Sequence, residues 1–172
     1  IQVFMPYLIL YYEKSLGMSN YVIVMVPAIL IAAVVSVFFG RLYDKKGFKF
    51  SVVISLLFLL IGYVILYLSP EFTKVFIGSL FMMIGYLTTN AVLTAMIRDL
   101  TPSDKTGMFQ GIRIIAMVFI PGIIGPFIGM KVLQNAELIQ NSDGTFSFLP
   151  NKNIFLAALI VALVFLMVLI FI

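Results

Sequence analysis

The sequence of 172 residues contains no cysteine, no histidine and no tryptophan, and only 10% of it is charged. The absence of cysteine excludes disulfides and thiolate metal sites. The absence of histidine removes the commonest general base and the commonest metal ligand, so most routes to a membrane-embedded metalloprotease or a Ser-His hydrolase are closed. A soluble domain carries roughly a quarter of its residues as charges, so this composition argues against a soluble protein.

Apolar residues dominate what is present. They make up 63% of the chain, and the mean hydropathy is +1.18. These values predict an all-α integral membrane protein, because about 20 apolar residues in a helix cross a hydrocarbon core of ~30 Å. The net charge of +4 is too small to indicate a nucleic-acid partner. The sequence predicts no catalytic residue, no metal site and no cofactor, and therefore no enzyme.

Charged residues divide the chain into apolar spans that predict a single six-helix transmembrane bundle over residues 1–172. The first span is too short to cross a membrane and begins in mid-pattern. We therefore expect a truncated first helix and a chain that is part of a longer protein. The predicted helices cover about residues 1–12 (partial), 19–39, 50–69, 73–97, 107–133 and 153–172.

Basic residues are unevenly shared between the two sets of loops. Loops 40–49 and 98–106, with Arg113 close by, hold seven of the 11 lysines and arginines. By the positive-inside rule these loops are cytoplasmic, and a bacterial plasma membrane is the expected location. The long loop 131–153 then faces outward, and its segment 141–144 predicts a turn between two short strands.

A few polar side chains lie inside the apolar spans. Asn90 is the most polar of them, and an amide left unpaired in hydrocarbon is costly. It therefore faces either a partner helix or a solute, and both alternatives stay open. Gln2, Tyr7 and Tyr86 are interpreted in the same way, so these four residues are candidates for lining a substrate cavity.

The spans also differ in polarity. The third, 51–68, and the sixth, 154–172, carry almost nothing polar, so we expect them to face lipid. The first, second, fourth and fifth should pack inward or line a cavity. No carboxylate lies deep in any span, so a proton-coupled transporter would need a titrating group from elsewhere in the protein.

Glycine and proline are concentrated in the fifth span. This cluster predicts a bent, closely packed or partly unwound segment. Whether the glycines serve only close packing or form a moving hinge is left open. The helix-bending candidates are Pro121, Gly122, Gly125, Pro126 and Gly129.

The segment 40–49, GRLYDKKGFK, resembles the signature loop of the major facilitator superfamily. The family pattern, G-x-L-a-D-R-x-G-R-K, lies between the second and third helices of a six-helix half. Tyr43 replaces a small residue of the pattern and Phe48 a basic one. The matching positions are Gly40, Leu42, Asp44, Lys45, Gly47 and Lys49.

The fifth span carries a second likeness. Gly125, Pro126 and Gly129 resemble the G-P-x-x-G-G core of the family's antiporter motif. Pro121 and Met130 stand where that motif has glycines, so antiport is not inferred.

The resemblance implies one six-helix half of a twelve-helix secondary transporter that moves a small solute by alternating access. Its partners would be the other half of the same protein, the lipid bilayer and a small-molecule substrate of unknown class. We favour the C-terminal half, because the motifs are looser versions of the N-terminal signatures. Uniport, symport and antiport are not distinguished.

In the family the signature loop acts as a cytoplasmic gate. Asp44 would carry that role beside a helix N-terminus or a cation such as Arg98 or Arg113. Gly40 and Gly47 would permit a tight turn. The alternative is a plain turn with positive-inside charges, and Arg113 could instead snorkel to the interface or meet an anionic substrate. The predicted gate set is Gly40, Asp44, Lys45, Gly47, Arg98 and Arg113.

Three alternatives belong to other classes. A six-helix permease domain of an ATP-driven transporter would need a separate ATPase, since no G-x-x-x-x-G-K-[ST] loop is present. A membrane-embedded enzyme would need a carboxylate pair or a lysine inside the membrane, and the spans contain neither. A six-helix unit acting as a homodimer is disfavoured by the expected truncation of the first helix.

Overall fold

The computed structural model describes residues 2–140 and 144–171. A π-helical turn, Tyr11–Ser15, continues the first helix, and another, Ile115–Phe119, joins the fourth helix to the fifth. The turn predicted over 141–144 lies outside the described residues except for Gly144. The helices and strands are α1 (Met5–Leu10), α2 (Val22–Leu68), α3 (Phe72–Leu100), α4 (Thr106–Ile114), α5 (Ile120–Val132), β1 (Leu138–Gln140), β2 (Phe146–Phe148) and α6 (Asn153–Phe171).

The described residues contain four helical stretches that are long and apolar enough to cross a membrane. Their length and composition agree with the prediction of a helical membrane protein. The second predicted span contains Pro27, and the backbone stays helical through it. These four stretches are Val22–Leu68, Phe72–Leu100, Ser103–Val132 and Asn153–Phe171.

Helix α2 is a hairpin of two arms that reverses at Gly47. This glycine has φ 78° and ψ −179°, and it is the one non-helical residue inside α2. The rings of Phe39 and Phe58 meet at 6.1 Å between centroids, whereas a straight helix would separate these residues by ~28 Å. The first arm (22–46) therefore folds back along the second arm (48–68).

The predicted loop 40–49 is largely helical, which corrects the sequence interpretation. Its residues have helical backbone conformation on both sides of Gly47. Gly40 takes no part in a tight turn, because it lies within the first arm and faces open space. The physical reason is that leucine, lysine and arginine are good helix formers, so a single glycine is enough to reverse the chain.

The second arm of α2 packs tightly along α3. A Cβ added at Gly62 would meet the backbone of Met82, and one added at Gly85 would meet the backbone of Leu59. Such close approach of two helices requires small residues at the contact. A side-chain hydrogen bond of 2.9 Å from Thr89 Oγ1 to Ser55 Oγ also joins these two helices.

The expectation that the third span faces lipid is wrong for one of its faces. Leu56 and Tyr63 are buried in the core, whereas Leu57 and Ile61 on the opposite face are exposed. The sequence conceals this division because both faces are equally apolar. In α6, the buried residues lie in its first half, and its second half is mostly exposed, as predicted for a lipid-facing helix.

Contacts at the two ends of the bundle agree with the predicted alternation of the loops. At one end Tyr43 Oη donates to Asp99 Oδ2 at 2.8 Å, which joins the reversal in α2 to the end of α3. At the other end Ser15 Oγ donates to the carbonyl of Pro150, and the Lys152 ammonium lies 5.0 Å from the Tyr67 ring centroid.

The long connection between α5 and α6 contains the predicted pair of strands. Strands β1 and β2 are antiparallel, with Leu138 opposite Phe148 and Gln140 opposite Phe146. Gly144 precedes β2 with φ 82°, a conformation that other residues rarely adopt. This hairpin lies at the same end of the bundle as Pro150.

Candidate functional site

A cavity of about 480 Å³ lies among the helices. Its volume is within the range of ~300–1,000 Å³ typical of small-molecule sites. The stretch of α3 from Asn90 to Leu100 rises ~15 Å, which is half of a ~30 Å hydrocarbon core. The cavity therefore lies near the middle of the membrane. Its polar lining residues are Gln2, Tyr63, Tyr86, Thr89 and Asn90.

Three of the four predicted cavity residues surround this space. Gln2 reaches it from the chain before α1, and Tyr86 and Asn90 reach it from α3. The Asn90 side chain donates from Nδ2 to the Tyr86 carbonyl at 2.9 Å. This bond stays within one helix and uses one of the two hydrogens on Nδ2.

The fourth predicted residue, Tyr7, does not line the cavity. Its Oη donates to the carbonyl of Pro126 at 3.0 Å, and its ring lies where a Cβ on Gly129 would be. The Tyr7 hydroxyl therefore has its hydrogen-bond partner in a neighbouring helix. Of the two alternatives left open by the sequence, Tyr7 faces a partner helix and not a solute.

Tyr63 is the residue that the sequence interpretation missed. The span that contains it was expected to face lipid, yet Tyr63 is 1% exposed and lines the cavity. Its Oη has no hydrogen-bond partner among the described residues. A buried hydroxyl without a partner costs about 1–3 kcal/mol, so a ligand that accepts a hydrogen bond would relieve this cost. The signal in the sequence is that Tyr63 lies well inside its span, whereas the other tyrosine of the span, Tyr67, lies at its end.

Two of the predicted helix-bending glycines serve close packing. A Cβ on Gly125 would meet the backbone of Gln2, and one on Gly129 would meet the carbonyl of Val3. Both glycines are buried, whereas Gly122 faces open space. Of the two alternatives left open for these glycines, close packing or a moving hinge, the contacts of Gly125 and Gly129 support close packing.

The segment that holds these glycines and prolines, Ile120–Val132, is helical throughout. The expectation of a partly unwound segment is therefore wrong for α5. Pro121 lies in the first turn of α5, directly after the π-helical turn Ile115–Phe119. Proline cannot donate the usual backbone bond to the residue four positions earlier. The helical distortion falls just before Pro121, and α5 continues as a helix through Pro126.

The predicted gate is arranged differently from the expectation. Asp44 forms no ion pair with Arg98 or Arg113 among the described residues. Its neighbour Tyr43 contacts Asp99, which also pairs with Arg98 at 3.2 Å. Asp44 and Lys45 are exposed on the helical end of the first arm. At this end Asp99, and not Asp44, pairs with Arg98, and Tyr43 joins the first arm to Asp99.

Arg113 lies between the gate end and the cavity. Its Nη1 donates to Thr94 Oγ1 at 3.3 Å, and its Nε is buried without a partner among the described residues. It pairs with neither Asp44 nor Asp99. One helical turn separates it from Met117, which lines the cavity, but Arg113 itself does not.

The lining of the cavity contains no charged side chain. In the described part of the chain, no three carboxylates come together in a way that could hold a metal ion. The described residues of this lining therefore offer hydrogen bonds and apolar contacts to a bound molecule.

Comparison with protein families identifies the chain. The sequence model of the family described as the Major Facilitator Superfamily matches residues 1–172. Curated proteins and solved structures gave no significant match. The family consists of membrane transporters, so the protein is an integral membrane transporter and not an enzyme. On this match over its whole length, the chain belongs to the Major Facilitator Superfamily.

Proposed function

We propose that the chain forms six transmembrane helices, one half of a twelve-helix secondary transporter, and moves a small solute by alternating access. The two arms of α2 count as two of these helices, and the stretch from α1 through Ser15 counts as the outer part of the first. The other half of the same protein would complete the transporter, and the C-terminal position is the one we favour.

The cavity beside Asn90 is the observation that carries this proposal. It combines a mid-membrane position with a volume suited to a small molecule. A transporter needs a site of this kind that can be exposed to either side in turn. Gln2, Tyr86 and Asn90 would contact the solute, together with Tyr63.

The end of the bundle that holds Tyr43 and Asp99 would act as the cytoplasmic gate. Loops 40–49 and 98–106 carry most of the basic residues, which favours a cytoplasmic position in a bacterial plasma membrane. The bond from Tyr43 to Asp99 and the ion pair with Arg98 are exposed. Exposed pairs are worth about 0–1 kcal/mol, so the gate would open at little energetic cost.

A single-cysteine experiment tests alternating access. The sequence lacks cysteine, so Asn90→Cys introduces one reactive thiol into this chain, in full-length protein cleared of any other cysteines. In membrane vesicles without ATP, a membrane-impermeant maleimide should label Asn90→Cys from either side. Val164→Cys is the control, because Val164 is 56% exposed in the second half of α6, the helix expected to face lipid, and should therefore be shielded from the reagent.

Labelling of Asn90→Cys from one side only, under all conditions, would rule out alternating access at this cavity. A requirement for ATP would favour the permease of an ATP-driven transporter. Equal labelling of both variants would mean that the reagent crosses the membrane, and the assay would be repeated with a larger reagent.

A further inference from the structure

The π-helical turn Ile115–Phe119 lies inside the long stretch Ser103–Val132, between α4 and α5. Resting on the proposed transport function, we propose that this turn is a hinge. Helix α4 moves about it relative to α3 while α5 stays fixed, and this movement opens and closes the cavity on the side of the gate. A half that rocks as one rigid body contains no such movement, so the hinge adds an internal step to alternating access.

The backbone at the turn departs from a regular helix at two consecutive positions. The Ile120 N–H donates to the Ile115 carbonyl, which is five residues earlier instead of four. The next residue, Pro121, has no N–H and cannot bond to the Met117 carbonyl. Sharp bends in helices occur at π turns and at prolines, and π turns are frequent at functional sites. Bending is therefore easiest at this point of the stretch.

Helix α5, on the outer side of the turn, is fixed to the chain around α1. A Cβ on Gly125 would meet the backbone of Gln2, and one on Gly129 would meet the ring of Tyr7. The Tyr7 hydroxyl also donates to the Pro126 carbonyl at 3.0 Å. Close backbone contact resists movement, because backbone atoms cannot give way like the end of a side chain. Helix α5 is therefore the fixed side of the hinge.

On the gate side of the turn, a side-chain hydrogen bond joins α4 to α3. Arg113 Nη1 donates to Thr94 Oγ1 at 3.3 Å, which is beyond the usual range of about 2.7–3.2 Å. Each partner lies one helical turn from a residue that lines the cavity, Met117 on one helix and Asn90 on the other. Side-chain bonds between membrane helices are weak on average. This bond can therefore break and re-form beside the cavity as α4 moves.

The hinge is also part of the cavity wall. Its lining residues are Ala116, Met117, Ile120 and Pro121. Met108 in α4 lies ~14 Å along the helix from Met117, so a change of bend of ~20° displaces Met108 by ~5 Å. The gate side of the cavity therefore changes more than the wall at the hinge itself.

Distances between spin labels within this chain test the hinge. The pairs Leu57→Cys with Met108→Cys and Leu57→Cys with Phe127→Cys are made in full-length protein cleared of any other cysteines and reconstituted in lipid bilayers. The three side chains are 45%, 57% and 62% exposed, in that order, so labels fit without repacking. Electron–electron double resonance should give two distances, ~5 Å apart, for the pair at Met108. The pair at Phe127, on α5, is the matched control and should give one distance.

Two variants assign the movement to the bond and to the turn. Thr94→Val removes the acceptor of Arg113 and keeps the shape of the side chain, so the ratio of the two populations should change about threefold. Thr88→Val is its control, because the Thr88 hydroxyl bonds to the Ile84 carbonyl of its own helix, and it should leave the ratio unchanged. Pro121→Ala restores a backbone N–H at the hinge, which stiffens the helix and should leave one distance.

Three results would overturn the hinge. They are a single unchanged distance at Met108 in both wild type and Thr94→Val, equal changes at Met108 and Phe127, and two distances in unchanged proportion in Pro121→Ala. The Asn90→Cys labelling separates these failures from failure of the transport mechanism. Labelling from both sides with one distance at Met108 would reject the hinge alone, whereas labelling from one side only would reject alternating access even if α4 moves.

Discussion

The pair formed by the second arm of α2 and α3 differs from the helical stretch Ser103–Val132 in how its glycines are used. In the most apolar part of α3, 39% of the residues are buried, whereas in the most apolar part of Ser103–Val132 only 6% are. Gly62 and Gly85 in the pair touch the backbone of the opposite helix. In Ser103–Val132, Gly125 and Gly129 make similar contacts, but Gly107, Gly111 and Gly122 face open space. Glycine therefore permits close helix packing in the pair, and on the exposed side of Ser103–Val132 it leaves a surface without side chains.

This contrast distinguishes two regions: the closely packed pair of the second arm of α2 with α3, and the largely exposed stretch Ser103–Val132. Backbone contact at two glycines and the bond between Ser55 and Thr89 fix the spacing of the pair. The stretch Ser103–Val132 meets Gln2, Val3 and Tyr7 at Gly125 and Gly129, and it also packs against α6. We expect the pair to set stability, and the cavity between both regions to set ligand binding.

The largest effect is expected where a methyl group would enter the tight pair. Gly85→Ala places a Cβ against the Leu59 backbone, which cannot move like a side chain, and overpacking of this kind costs about 1–3 kcal/mol. Gly111→Ala has free space and should be neutral or stabilising by up to ~1 kcal/mol, because alanine favours the helix. Thermal unfolding in detergent measures both, and equal destabilisation would remove the contrast between the regions.

A comparable loss is expected at the turn that creates the pair. Gly47→Ala forces alanine into φ 78°, ψ −179°, a region essentially reserved for glycine and costing about 1–3 kcal/mol. Gly40→Ala lies in helical backbone with open space around it and should not destabilise. The same unfolding assay compares them, and a stable Gly47→Ala would show that the reversal does not depend on this backbone conformation.

Much of this architecture could be predicted from composition and spacing. The structure has apolar helical stretches, a chain reversal within segment 40–49, and Asn90 and Tyr86 beside the cavity. Contact of these two residues with a solute stays a prediction. The sequence interpretation rests on two rules: polar atoms are costly in hydrocarbon, and charges are confined to the ends of helices. Both rules act on individual residues and need no knowledge of the packing.

The division of each helix into buried and lipid-facing sides could not be predicted. In water a helix shows its buried face by an apolar stripe, but in a membrane the lipid-facing side is equally apolar. The whole span that contains Tyr63 was therefore expected to face lipid, and the close packing at Gly62 and Gly85 was not predicted. The contact of Tyr43 with Asp99 was missed because it depends on where the first arm of α2 ends relative to α3.

The smallest effect separates the two forces that hold the tight pair together. Thr89→Val removes the hydrogen bond to Ser55 between helices while keeping the shape of the side chain, and such bonds in membrane proteins average ~0.6 kcal/mol. Thr88→Val is the matched control, because Thr88 is also buried but bonds to the Ile84 carbonyl of its own helix. We expect Thr89→Val to lower the free energy of unfolding less than Gly85→Ala does and more than Thr88→Val does. That order would mean that close backbone approach is the main force between the helices and that the hydrogen bond adds to it. A loss for Thr89→Val equal to that of Gly85→Ala would instead make the polar contact the principal link between these helices.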